Sequence, residues 1–179
     1  RSWHRTFGLP ILITNCSNNY GPFQFPEKLI PLVFSKAISG ESIPIYGKGD
    51  QIRDWLYVED HVDALIKVML EGQVGHSYNI GGNCEITNLE LVTALCRQLD
   101  AIVVDHPKAI LKFEELITLV ADRPGHDKRY AIDSSKIQNE LKWEPQESLD
   151  SGLRKTLGWY IENKEWLMKI KNGSRVGLK

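Results

Sequence analysis

The sequence predicts an α/β protein, and three observations carry that prediction. Short apolar runs rich in β-branched residues, led by Leu9-Pro10-Ile11-Leu12-Ile13, read as strands buried on both faces, as in a parallel sheet. Between such runs lie stretches with apolar residues at helical spacing, such as Val62, Leu65, Ile66, Met69 and Leu70. Strand, helix and strand follow one another within residues 55–81, which is the length of a βαβ unit.

Taken in order, Arg1 to Phe7 reads as the last turns of a helix, with basic residues near its end and Gly8 as the stop. The 9–13 strand follows and runs into a polar stretch, Thr14 to Pro22. Pro26 suits a first helical turn, Leu29, Val33 and Ala37 recur at helical spacing, and Gly40 ends that helix. Ile43-Pro44-Ile45-Tyr46 reads as a short strand and Gly47-Lys48-Gly49-Asp50 as a turn. Trp55 to Val58, a helix from Glu59 to Leu70, and Tyr78 to Gly81 form the βαβ unit, expected to rejoin the edge of the parallel sheet. Thr87-Asn88-Leu89-Glu90 has the spacing of a capping box, and Val92, Leu95, Cys96 and Leu99 supply the apolar stripe behind it, so Cys96 reads as core. Ile117 to Val120 and Tyr130 to Ile132 are further strands. Asp133 caps a helix through Ile137 and Leu141, and Ser148 caps one through Leu149, Leu153, Leu157 and Tyr160.

Composition narrows the function classes. With 179 residues the chain has room for a core of ordinary size. Its 22 basic and 23 acidic residues give no basis for nonspecific attraction to nucleic acid. No apolar run approaches the roughly 18–20 residues of a membrane span. Cys16, Cys84 and Cys96 are far apart and odd in number, and neither they nor the five histidines show metal-ligand spacing. The expectation is a cytoplasmic, enzyme-like protein with no metal, no nucleic acid and no membrane among its partners.

Chemistry concentrates in three places. The 9–13 run delivers Asn15, Ser17, Asn18 and Asn19 to the carboxyl end of a predicted strand, where α/β sheets bind ligands; a solvated turn is the competing reading. Arg53, after the Gly47–Asp50 turn, and Arg123, in Asp122-Arg123-Pro124-Gly125-His126, offer the planar fork that suits phosphate oxygens. Each also neighbours an aspartate, so a structural ion pair competes with a ligand role. Gly47-x-Gly49 and Gly81-Gly82 lack the third glycine and following helix of a dinucleotide fingerprint.

Asn18-Asn19-Tyr20-Gly21-Pro22, followed by Phe25-Pro26 and Glu27-Lys28-Leu29-Ile30-Pro31, resembles the segment after the sixth sheet strand in extended short-chain dehydrogenases acting on nucleotide sugars. Arg53-Asp54-Trp55-Leu56-Tyr57-Val58-Glu59-Asp60 resembles another motif of those enzymes. Asp122 to Asp127 is similar to a marker of their dTDP-glucose 4,6-dehydratase branch. The resemblance covers nearly the whole chain. It implies the end of a Rossmann-type parallel-sheet domain plus a smaller α/β substrate-binding domain. Residues 1–25 then close the NAD-binding domain, 26–54 and 82–179 form the substrate domain, and 55–81 return to the Rossmann sheet.

By the same resemblance, Asn19 touches NAD, while Asn18, Lys28, Leu29, Pro44, Ile45, Tyr46, Arg53, Asn88, Asp122, Arg123, Pro124, Gly125 and His126 enclose the nucleotide sugar. Without it, Pro44 to Tyr46 reads as a buried strand and His126 as a solvated turn residue. The family's catalytic Tyr-x-x-x-Lys and Gly-rich NAD loop are expected upstream of Arg1, with no Tyr-x-x-x-Lys within this chain, so no catalytic residue is assigned here and the chain is expected to be an inactive fragment. The implied whole enzyme is a homodimer. It oxidises dTDP-glucose at C4 with bound NAD, loses water across C5 and C6, and returns hydride to C6. A related nucleotide-sugar epimerase or decarboxylase, or a noncatalytic nucleotide-sugar binding module, are the other readings.

Overall fold

The computed structural model describes residues 1–107 and 110–171. Helix α1 spans Ser2–Phe7 and stops at Gly8, whose φ of 67° lets its N–H turn back to the His4 carbonyl at 2.9 Å. The first strand lies later than its apolar run suggests. Strand β1 is Ile13–Cys16, and after Ser17 the chain continues as β2, Asn18–Tyr20. Leu9 is 49% exposed. Pro10 has no N–H to offer a ladder, so pairing begins only at Ile13. None of the β1 side chains is fully buried, which corrects the expectation of a strand buried on both faces.

The two halves of this extended stretch have different neighbours. β1 pairs in parallel with β5 (Ser77–Ile80), from Ile13 opposite Ser77 to Cys16 opposite Ile80. β2 pairs in parallel with β4 (Ile52–Tyr57), placing Asn18 opposite Trp55 and Asn19 opposite Leu56. Helix α3 (Val58–Glu71) joins β4 to β5, so the βαβ unit straddles one extended segment. β4 also pairs antiparallel with β6 (Glu85–Thr87) and parallel with β8 (Arg129–Tyr130). A separate parallel pair joins β3 (Ile43–Tyr46) to β7 (Ile117–Val120).

The larger core lies where α2 (Leu29–Ile38), α4 (Asn88–Ile102) and α6 (Leu149–Glu162) meet around Phe34, Leu95, Leu99, Leu157 and Tyr160. Pro31, rather than Pro26, is the proline in the first turn of α2, where a missing N–H costs nothing. The capping box of α4 is complete. Thr87 Oγ1 accepts from Glu90 N at 3.2 Å, and Glu90 Oε2 accepts from Thr87 N at 2.8 Å. Cys96 is fully buried in this core, and desolvation pushes its thiol up to about 12. Ser148 Oγ caps α6 through the Ser151 N–H at 3.2 Å. A smaller core packs Leu56, Val68 and Tyr78 against Ile137 and Leu141 of α5 (Ser135–Leu141). Asp133 Oδ1 supports the start of α5 by accepting from Ser135 N at 2.9 Å. The chain ends its described part in α7, Lys164–Lys171.

Helix α3 departs from its sequence pattern. Asp60, Ala64 and Val68 are its buried residues, whereas Val62, Leu65, Ile66, Met69 and Leu70 are 38–72% exposed. The small Ala64 allows close approach to the sheet, and the inner face is set by the 60, 64, 68 row. The more apolar stripe turns away from the described elements.

Candidate functional site

Beyond the carboxyl end of β1 and along the start of β2 opens a cavity of about 580 Å³. Asn18 and Asn19 line it from β2, and Lys28 and Leu29 from the start of α2. Pro44, Ile45 and Tyr46 line it from β3, and Arg53 from β4. Asn88 at the start of α4, Arg123 and His126 complete the wall. Asp122, Pro124 and Gly125 do not line it. Asp122 stands behind the wall: its Oδ1 lies 2.8 Å from His126 Nδ1, and its Oδ2 accepts from Gln51 Nε2 at 3.0 Å. The hydrogen bond with His126 holds the Asp122 carboxyl below its usual range.

Neither candidate arginine is spent on its neighbouring aspartate. Successive residues of a strand point to opposite faces, and Asp54 is buried on the far side from the cavity-lining Arg53. Asp54 accepts from Gly82 N at 3.1 Å and Cys84 N at 2.8 Å. Arg53 donates to the carbonyls of Ile52 (2.7 Å) and Asp127 (2.9 Å), bonds that aim the guanidinium without neutralising it. Arg123 forms no ion pair with Asp122; that carboxylate takes the Arg123 backbone N–H at 2.9 Å instead. Among the described residues neither guanidinium enters an ion pair, and both line one cavity.

The segment between β2 and α2 is braced from several sides. Gln24 Nε2 donates to the Asn19 carbonyl at 2.8 Å, and the Tyr160 hydroxyl lies 3.4 Å from the Gly21 carbonyl and 3.2 Å from that of Gln24. Phe23 takes a left-handed φ of 60° and packs its ring on Trp159, 4.5 Å between centroids. Tyr160 and Lys164 do have Tyr-x-x-x-Lys spacing, against the expectation that this chain carries no such pair. Tyr160 is fully buried, outside the cavity, and burial raises its phenol pKa well above the ordinary value. Tyr160 braces the Gly21–Gln24 segment, and neither Tyr160 nor Lys164 lines the cavity.

Ser17, named with the asparagines from the sequence, also lines the cavity, as do Gln24, Glu27, Leu32 and Trp55, which no sequence motif singles out individually. Ser17 Oγ, Asn19 Oδ1, Gln24 Oε1 and Trp55 Nε1 are buried and make no hydrogen bond to any described residue. Buried polar atoms are nearly always satisfied, so four such atoms around one cavity mark a place built for a polar ligand.

A family model described as GDP-mannose 4,6 dehydratase matches residues 1–156. The chain belongs to this family. Among relatives within and around the GDP-mannose 4,6 dehydratase family, a dTDP-glucose 4,6-dehydratase of Escherichia coli is 55% identical over 177 residues, covering 99% of this chain and 49% of that protein. One from Salmonella typhimurium is 59% identical over 174 residues, with 97% and 47% covered. The crystal structure of dTDP-glucose 4,6-dehydratase from Bacillus anthracis in complex with NAD superposes with a TM-score of 0.81 at 43% identity, covering 94% of this chain and 50% of that one. UDP-glucose 4-epimerase from Thermotoga maritima with UDP-glucose gives a TM-score of 0.77 at 25% identity, covering 91% and 50%. The chain spans about half the length of the curated relatives it matches.

The residues present suit one edge of a dinucleotide and not its phosphates. Asn19 Oδ1 is buried and unpartnered, ready to accept a hydrogen bond from a cofactor amide or hydroxyl. The glycine pairs serve packing: a Cβ on Gly82 would lie 1.8 Å from the Trp55 carbonyl oxygen, and one on Gly49 2.8 Å from the Ile45 side chain.

Proposed function

We propose that this chain is the nucleotide-sugar-binding part of a dTDP-glucose 4,6-dehydratase, an NAD-dependent lyase that converts dTDP-glucose to dTDP-4-keto-6-deoxyglucose and water. The observation that carries the reading is the convergence of Arg53 and Arg123, neither paired to a carboxylate among the described residues, on the cavity that Asn18 and Asn19 also line. In this reading the two guanidinium groups hold the diphosphate, with charge-assisted bonds in a partly enclosed site. Tyr46 and His126, whose rings meet edge-on at 6.4 Å, form the wall against which the base rests, with Pro44 and Ile45 beside them. Asn88 adds a polar contact to the nucleotide, and Pro124 and Gly125 shape the turn that carries His126.

Lys28 and Leu29 meet the substrate at the start of α2, and Asn18 positions the sugar. Asn19 holds NAD, which supplies hydride acceptance and return when bound. This chain contributes binding and orientation, and catalytic acid and base groups come from the remaining length of the enzyme. The reading extends to a cytoplasmic homodimer. Its domain boundaries are 1–25 for the NAD-binding domain, 26–54 and 82–179 for the substrate domain, and 55–81 for the segment returning to the Rossmann sheet, of which 108–109 and 172–179 lie outside the described residues. Among the described residues no helix is long and apolar enough to cross a membrane.

A nucleotide panel tests this reading. The purified chain is expected to bind dTDP in preference to UDP and GDP, and to leave dTDP-glucose unconverted when NAD is added. Preference for UDP or GDP would move the assignment to a related epimerase or decarboxylase. Turnover by the chain alone would overturn the placement of the catalytic groups.

A further inference from the structure

At the amino-terminal end of the β1–β5 pair, away from the cavity already described, a second cavity of about 260 Å³ is lined by Arg1, His4, Arg5, His76 and Lys136, with Gly75 and Ser77 between them. Among the described residues no acidic side chain lines it. Its bonds run to neutral acceptors. Arg1 donates to Ser77 Oγ at 2.7 Å, Lys136 donates to the Ser77 carbonyl at 3.1 Å and lies 3.2 Å from His76 Nδ1, and His4 Nδ1 lies 2.8 Å from the Leu9 carbonyl. Among the described residues Arg1, Arg5 and Lys136 enter no ion pair. Glu140, one turn along α5 from Lys136, accepts from the Tyr78 hydroxyl at 3.0 Å and does not line the cavity.

The cluster is held in place by the fold. Lys136 lies over the Tyr78 ring, 4.5 Å from its centroid. His4 packs so closely on Gly75, whose φ is 85°, that a Cβ there would come within 2.5 Å of the imidazole Nε2. Gathering like charges around a cavity is unfavourable unless a counter-charge enters, and arginine and lysine side chains bind phosphate oxygens with charge-assisted bonds. We infer that this cavity is a second anion site that takes a phosphate group, free or as a phosphomonoester, at the end of the β1–β5 pair opposite to the nucleotide cavity. Arg1, Arg5 and Lys136 supply the charge, and the Ser77 hydroxyl and His76, whose Nδ1 faces the Lys136 ammonium and whose Nε2–H is left to donate, supply directed hydrogen bonds; the volume leaves room beside the phosphate for part of the molecule that carries it.

Histidine proton NMR on the full 179-residue chain tests this, because His4 and His76 report on this cavity and His126 on the other. Titration with inorganic phosphate at constant ionic strength is expected to shift the His4 and His76 ring signals saturably. Phenyl phosphate is the second probe. Tighter binding of phenyl phosphate identifies a phosphomonoester as the fitting ligand, and equal or weaker binding identifies free phosphate; both support the site. Lys136→Met and, independently, Arg5→Ser are expected to weaken the response roughly tenfold, about 1.4 kcal/mol, and Lys136→Arg to preserve it. Arg5 is exposed and makes no described side-chain bond, so its variant stays informative if Lys136→Met does not fold. Shifts confined to His126, shifts that never saturate, or unchanged binding in a folded Lys136→Met or Arg5→Ser variant would overturn the proposal.

Discussion

His126 Nδ1 sits 2.8 Å from Asp122 Oδ1, which makes Asp122 the anchor of a wall residue of the cavity rather than part of the wall itself. The same carboxylate reaches Gln51 at 3.0 Å and the Arg123 N–H at 2.9 Å, so it ties the segment after β7 to the turn before β4.

Asp122→Ala is therefore expected to weaken nucleotide binding without touching the nucleotide, by freeing His126 and the backbone that carries Arg123. The loss of one or two hydrogen bonds predicts a drop in dTDP affinity of roughly three- to tenfold, measured by calorimetric titration. The Asp122 carboxyl is held below its ordinary value of 3.8, so its stabilising contribution is present above pH 3.8 and is lost as pH falls through the lowered value. Thermal melts of the unaltered chain and Asp122→Asn are expected to converge in acid and to separate above that pH.

Asn18 and Asn19 are neighbours on β2 and both line the cavity, so their roles are separable only by substituting each in turn. In the complete enzyme Asn18→Ala is expected to impair dTDP-glucose binding or turnover chiefly, and Asn19→Ala to loosen NAD chiefly. Asn19 Nδ2 donates to the Ser17 carbonyl at 3.0 Å, so a purely bracing role is the competing account. Titrations of each variant with dTDP and with NAD separate them. Equal loss of both ligands in both variants, with lower melting temperature, would show that the amides only brace the strand end.

Cys96 supplies an alkaline prediction. Burial lifts its thiol from 9.0 to about 12, so the folded state resists ionisation that the unfolded chain accepts. The associated stability is complete below pH 9.0, declines as pH rises from there, and is gone above about 12. Cys96→Ala is expected to flatten the fall in stability over that window, followed by chemical denaturation at a series of pH values. In the native protein a thiol reagent is expected to label Cys16 and Cys84 and to spare Cys96 until unfolding.

Local signals in the sequence were readable where one residue type has one physical job. Thr87 and Glu90 form the capping box their spacing announces, Gly8 closes α1, and Ile43–Tyr46 is a strand with the bounds its residues suggest. Patterns that depend on what packs where were less readable. Leu9 to Ile13 has the composition of a strand, but Pro10 and the geometry of α1 delay the ladder to Ile13. The apolar stripe of α3 has the stronger periodicity, yet Ala64 and Val68 face the sheet because the closest approach belongs to the smaller residue. At the cavity, motif residues such as Arg53, Asn88 and Arg123 meet although they are far apart in the chain. Trp55 and Gln24 join them through tertiary placement alone, and only their buried, unpartnered atoms reveal it. Tyr160 and Lys164 show the converse: a catalytic spacing whose tyrosine the fold buries beneath the Gly21–Gln24 segment.

In the proposed function Arg53 and Arg123 hold the diphosphate of a nucleotide sugar in the cavity beyond β1. Calorimetric titration of dTDP into the purified chain and into its Arg53→Ala and Arg123→Ala variants tests it most directly. The account predicts saturable binding to the unaltered chain and a loss of about 1.5–3 kcal/mol, tenfold or more in affinity, in each variant with the fold intact. Equal dTDP affinity in all three folded proteins, or no saturable binding to the folded unaltered chain, would contradict it.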